Sequence, residues 1–173
     1  MKRRPNNGIF GITGPSGSGK TTLIARLLPE FKRRGIAVST MKLSHHDIEM
    51  DRPGKDSHNH RTAGAREVML VSKNRWALFH DYAEDEDRRD LEGLCSRMAP
   101  VDLILVEGRQ SCPLGKLEVH RGATGKALFC TEDAEIVAIA SDRPLPGLNL
   151  PVLDLNDIAT IAEFVVRRLK EAR

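Results

Sequence analysis

Short apolar runs alternate along this chain with longer segments whose apolar residues recur at helical spacing. Residues 9–13, Ile-Phe-Gly-Ile-Thr, are β-rich and bounded by Gly8 and Gly14, which predicts a buried strand. Residues 19–34 then place Leu23, Leu27, Leu28 and Phe31 on one helical face and stop at Gly35. A second strand is expected over 37–42. Strand, glycine-rich turn, helix and strand together make a βαβ unit, whose crossover is almost always right-handed.

Residues 43–57 are polar, contain Pro53 and Gly54, and read as a loop. A short helix is expected at 57–65, then two short strands at 68–72 and 76–80 joined around Lys73, Asn74 and Arg75. A helix over 87–98 puts Leu91, Leu94 and Met98 on one side. The uninterrupted run at 103–106 has the character of a parallel strand covered on both faces. Further strands are expected at 117–119 and 136–140. The last helix, 157–170, turns Ile158, Ile161, Val165 and Leu169 inward behind Asn156 as its N-cap. With the turn Gly14-Pro-Ser-Gly-Ser-Gly-Lys-Thr21 fitting G-x-x-x-x-G-K-[ST] between the first strand and helix, these elements predict an α/β fold of the P-loop NTPase type: three layers, a mainly parallel central sheet with helices on both faces, and a short β-hairpin extension. With 173 residues and no repeat or linker, a single nucleotide-binding domain over 1–173 is expected.

The chemistry concentrates after the first strand. Gly14, Pro15, Ser16, Gly17, Ser18, Gly19, Lys20 and Thr21 match G-x-x-x-x-G-K-[ST] between a predicted strand and a predicted helix. Glycines there allow successive N–H groups to converge on one anion, and the helix N-terminus adds its positive dipole end. Lys20 is expected to reach the β- and γ-phosphates and Thr21 to ligate Mg²⁺, with Thr22 following in the first turn.

A Mg²⁺–triphosphate site needs a carboxylate on a neighbouring strand, and Glu107 closes the run at 103–106. The plainer reading of Glu107 is an exposed acid at a strand end. Lys42 and Asp47 stand at and just beyond the second strand, on the sheet edge where open α/β sheets bind ligands. Lys42 is a candidate for the γ-phosphate and Asp47 for Mg²⁺ or the attacking water; a solvated loop accounts for either equally well. The catalytic candidates are therefore Lys20, Asp47 and Glu107, and the metal candidates Thr21, Glu107 and Asp47.

Charge alters this picture little. The net charge of +3 is spread among interleaved acids and bases, and one Trp, one Tyr and five Phe leave few platforms for stacking bases, so no nucleic-acid partner is expected. No apolar segment is long enough to span a bilayer, and three widely spaced cysteines suit a reducing cytoplasm. His45, His46, His58 and His60 show no zinc-site spacing, and the cysteines read as packing residues.

Several segments resemble the molybdopterin-guanine dinucleotide biosynthesis adaptor family, MobB. They are Gly14-Pro-Ser-Gly-Ser-Gly-Lys-Thr-Thr-Leu23, Met41-Lys-Leu-Ser-His-His-Asp47, Asp51-Arg-Pro-Gly-Lys-Asp-Ser57 with Arg61 and Ala63-Gly-Ala65, Asp102-Leu-Ile-Leu-Val-Glu-Gly108, and Lys116-Leu-Glu-Val-His-Arg121. The His-His-Asp and Pro-Gly-Lys-Asp-Ser segments are the most particular, while Arg109 and Leu43 depart from the usual residues.

The resemblance implies GTP as bound nucleotide, weak Mg²⁺-dependent hydrolysis, a homodimer, and support of a MobA-type guanylyltransferase and of molybdoenzyme maturation partners. It also implies Lys55, Asp56 and Arg61 near nucleotide or cofactor, with molybdopterin as a possible bound substrate. No N-K-x-D stretch is present. Asp142 is a candidate to accept from guanine N1 and N2, and equally a carboxylate opening the turn before Pro144. Two other functions fit the same motif: a P-loop small-molecule kinase with Asp47 as base, and a non-catalytic chaperone for the pterin cofactor.

Overall fold

A computed structural model describes residues 8–44, 51–83 and 90–172. Contacts divide the chain into two compact units, Met1–Leu43 with Gly93–Arg173, and Ser44–Glu92.

The first unit is built on a six-stranded parallel sheet. Its strands are β1 (Ile9–Thr13), β2 (Val38–Lys42), β5 (Leu103–Glu107), β6 (Lys116–His120), β7 (Ile136–Ser141) and β8 (Val152–Asp154), in the spatial order β2-β5-β1-β6-β7-β8. β1 therefore lies between β5 and β6, with Ile12 beside Glu107 and Thr13 beside Glu118. That register sets every distance in the site described below.

Strand periodicity gives the sheet two different faces. Phe10 and Ile12 of β1, Leu103 and Leu105 of β5, Leu117 and Val119 of β6, and Ala138 and Ala140 of β7 share one cluster. The long helices α1 (Lys20–Arg33) and α4 (Ile158–Glu171) complete it through Leu23, Ile24, Leu27 and Phe31 and through Ile161, Val165 and Leu169. Both helices present an apolar stripe at 3.6-residue spacing, as their sequences predict.

On the other face of β6, Lys116, Glu118 and His120 are all buried. Each has a partner, as buried charge requires. Lys116 Nζ pairs with Asp133 at 2.6 Å and Glu135 at 3.1 Å. Glu118 accepts from the N–H groups of Phe129 and Cys130 at 2.7 and 2.9 Å, and His120 Nδ1 lies 3.1 Å from Ser141 Oγ.

The second unit contains a short helix, α2 (Asp56–Thr62), and an antiparallel hairpin of β3 (Glu67–Val71) and β4 (Trp76–His80). Asp51 accepts from Ser57 Oγ at 2.7 Å and faces Arg61, which also reaches Asp81 at 3.2 Å. Val68 is buried, while Met69, Leu70, Val71 and Trp76 are exposed. α3 (Leu91–Ser96) follows; the expected span began at 87, and residues 84–89 lie outside the described residues.

Three expectations need correction. β8 was not anticipated, because three residues after Pro151 carry no readable alternation. The N-cap of α4 is Asp157, not Asn156: its carboxylate accepts from Thr160 N–H at 3.0 Å. β6 begins at Lys116 and ends at His120, longer than expected, since its polar residues are buried. No described helix is long and apolar enough to cross a membrane.

Candidate phosphate-binding site

β1 delivers the chain to the C-terminal edge of the sheet, and six residues, 14–19, separate its end from the start of α1. The turn between them needs glycine at two positions for a clear steric reason. Gly14 has φ +131, and a Cβ there would lie 2.4 Å from the Val119 carbonyl of β6. Gly19, the N-cap of α1 at φ +97, has the Arg121 guanidinium where a side chain would stand.

No side chain caps α1, and its first turn carries no acid. The orphan N–H groups of that turn and the positive dipole end thus face outward without a counter-charge from the helix itself, an arrangement suited to an anion. Ser16 and Gly17 are exposed, Pro15 and Ser18 are buried, and Thr22 is exposed on the first helical turn. Ser18 Oγ and Thr13 Oγ1 are buried without a hydrogen-bond partner.

Lys20 curls back over the loop, donating to the carbonyls of Gly14 at 2.9 Å and Pro15 at 3.0 Å. Burial lowers its pKa; Glu107 opposes that shift, and Lys42 and Lys126 add to it. The Thr21 hydroxyl lies 3.0 Å from both carboxylate oxygens of Glu107. Lys42 Nζ is 3.9 Å from the same carboxylate, because the β2–β5 register sets Lys42 beside Glu107. Lys20, Thr21, Lys42 and Glu107 are thereby brought to one sheet edge. The Thr21–Glu107 pair offers oxygen donors only, the chemistry that Mg²⁺ accepts.

Asp142 is exposed at the end of β7, on the same edge, and its Oδ1 accepts from Gly122 N–H at 2.9 Å. Its second oxygen has no such bond among the described contacts. Asp47, together with His45 and His46, lies outside the described residues.

Two basic residues escaped the motif reading. Arg121 Nε donates to the Ser18 carbonyl at 3.1 Å, and Lys126 Nζ to the Ser16 carbonyl at 3.2 Å. Their available signal was position: both follow a strand expected in the same parallel sheet, just past its C-terminal end. Knowing that this strand is β1's neighbour requires the fold.

The family model for molybdopterin guanine dinucleotide synthesis protein B matches residues 9–142. A molybdopterin-guanine dinucleotide biosynthesis adapter protein of Escherichia coli (strain K12) is 42% identical over 166 residues, covering 94% of each chain. One of the same name from Haemophilus influenzae is 39% identical over 91% of this chain and 86% of its own. Among solved structures, molybdopterin-guanine biosynthesis protein B (mobB) superposes with a TM-score of 0.70 at 27% identity, covering 94% of this chain and 99% of that one.

Proposed function

Since the chain belongs to the molybdopterin guanine dinucleotide synthesis protein B family of adapters, we propose that it binds Mg²⁺–GTP at Gly14–Thr22, hydrolyses it slowly, and supports guanylation of molybdopterin. The observation that carries this reading is the uncapped start of α1, ringed by Lys20, Lys42 and the Thr21–Glu107 pair.

In this reading the loop amides and Lys20 hold the β- and γ-phosphates, so the ammonium exchanges two carbonyl partners for phosphate oxygens. Thr21 and Glu107 would hold Mg²⁺, directly or through its water shell, and the bound ion would supply electrostatic stabilisation to the phosphate oxygens. Lys42 faces the γ-phosphate, and Asp47 orients the attacking water or the metal shell. Asp142 reads guanine through the carboxylate oxygen that Gly122 does not occupy. Hydrolysis is slow because the motif set contains no catalytic glutamine or arginine finger, parts worth about 10³-fold or more in related chemistry.

The exposed apolar side of the β3–β4 hairpin supports self-association as a homodimer. The relatives' names support an adapter role in molybdopterin-guanine dinucleotide biosynthesis; in this proposal its partners are a MobA-type guanylyltransferase and molybdoenzyme maturation proteins, molybdopterin is a bound substrate, and the setting is the cytoplasm.

Titration calorimetry with Mg²⁺–GTP and Mg²⁺–ATP tests the core of this proposal. The wild-type protein should prefer GTP, and Lys20→Ala should remove most of the affinity while leaving the fold intact by circular dichroism. Unchanged GTP binding by Lys20→Ala would refute the site.

A further inference from the structure

The phosphate loop has an outside as well as an inside. Wherever such a loop turns an N–H towards an anion, the preceding carbonyl of that planar trans peptide points the other way. Those carbonyls need partners of their own. Gly14 O and Pro15 O accept from Lys20, and Pro15 O also accepts from Ser18 N–H at 3.2 Å. Gly19 O accepts from Leu23 N–H within the start of α1 at 2.9 Å. The remaining two partnered carbonyls are held by cations from a distant segment: Ser16 O by Lys126 and Ser18 O by Arg121.

These two contacts differ in kind from that of Lys20. A lysine that turns to phosphate releases Gly14 O and Pro15 O, whereas Arg121 and Lys126 sit on oxygens whose own peptide planes carry the Gly19 and Gly17 N–H groups. A cation on the Ser18 oxygen lies at the opposite edge of that peptide unit from an anion bound to Gly19 N–H. It stiffens the plane and draws electron density towards the oxygen, which makes the N–H a better donor.

The segment presenting both cations is itself tied down. Thr124 returns Oγ1 and N–H to the Arg121 carbonyl at 2.8 and 3.0 Å, and Asp142 Oδ1 holds Gly122 N–H at 2.9 Å. The absence of a side chain at Gly19 gives the guanidinium its place.

We propose that Arg121 and Lys126 are positioning residues of the phosphate loop: they grip the Ser18 and Ser16 carbonyls from outside and so aim the Gly19 and Gly17 N–H groups at a bound polyphosphate. This inference rests on the nucleotide-binding reading above.

The test compares wild type, Arg121→Met, Arg121→Lys and Lys126→Met in two measurements. Calorimetry with Mg²⁺–GTP and Mg²⁺–GDP should show each Met variant losing about tenfold in affinity, the scale of one charge-assisted hydrogen bond. The loss should be equal for the two nucleotides, and Arg121→Lys should recover part of it. Amide NMR of the nucleotide-free protein should show the Gly19 resonance moving in Arg121→Met and that of Gly17 in Lys126→Met. A loss confined to GTP would overturn the proposal in favour of direct γ-phosphate contact. Unchanged amides would overturn it outright, and that readout decides even if the wild-type protein binds neither nucleotide, a result that would instead sink the functional reading. Lys126 is exposed, so its variant tests the idea without threatening the fold.

Discussion

The parallel sheet and the β3–β4 hairpin carry similar apolar runs but treat them in opposite ways. In the sheet, Phe10, Ile12, Leu103 and Leu105 are wholly buried under α1 and α4 or by neighbouring strands. In the hairpin, Val71 is 75% exposed and Trp76 63% exposed. An apolar β-rich run thus specifies a strand in both places, whereas burial depends on what else the chain brings to its faces. Two strands alone bury little. In the proposed homodimer, the exposed hairpin side is the surface a second copy would cover, while the sheet is covered by the chain's own elements.

Substitutions can break that contrast. The largest effect should come from Phe10→Ala, which removes a fully buried ring and should cost about 3–5 kcal/mol in urea unfolding. Next is Lys116→Met, which keeps the volume but leaves Asp133 and Glu135 facing each other without their ammonium; a loss of about 3 kcal/mol at neutral pH is expected.

The sign with pH follows from the lysine. Burial opposes its charge, but hydrogen bonds to Asp133 and Glu135 prevail and raise its pKa above the ordinary 10.5. Its contribution is therefore complete below about pH 10 and fades only as pH climbs through the raised value. A difference between the two proteins that closes near pH 8 would contradict this.

Smaller still, Trp76→Ser should leave the unfolding free energy of the isolated chain within about 0.5 kcal/mol while weakening self-association in sedimentation experiments. Should it instead destabilise the chain as strongly as Phe10→Ala, with association unchanged, the contrast between the regions would be lost. The least perturbing probe is thiol labelling. Burial pushes the Cys112 thiol up to about 12, so its thiolate is scarce at pH 8 and the folded protein should leave it unmodified until denaturant is added. Prompt labelling of Cys112 in the native state would mean that this face of the sheet opens readily.

What the sequence revealed, and what it did not, follows the same division between local and distant contacts. The turn at Gly14–Thr22 was placed correctly between β1 and α1 because its residues are contiguous and both flanking elements carry a readable pattern. Glu107 was legible because an apolar run ending in an acid places that acid at a strand terminus. Arg121 was not, since its contact with Ser18 joins residues 103 apart and depends on β6 lying next to β1. The buried row of Lys116, Glu118 and His120 was hidden for another reason: ionisable side chains read as solvent-facing until Asp133, the Phe129 and Cys130 amides, and Ser141 are folded over them. The cap of α4 moved by one residue because Asn156 and Asp157 are both good caps, and only the geometry at Thr160 separates them.

The tight fit of Gly14 against the Val119 carbonyl bears on speed. If the loop keeps this conformation when the proposed nucleotide enters, the change required is the re-aiming of the Lys20 side chain from the Gly14 and Pro15 carbonyls, an event of picoseconds to nanoseconds. Association should then run at the pace of diffusional encounter, and differences in affinity among nucleotides should be written in how long each one stays.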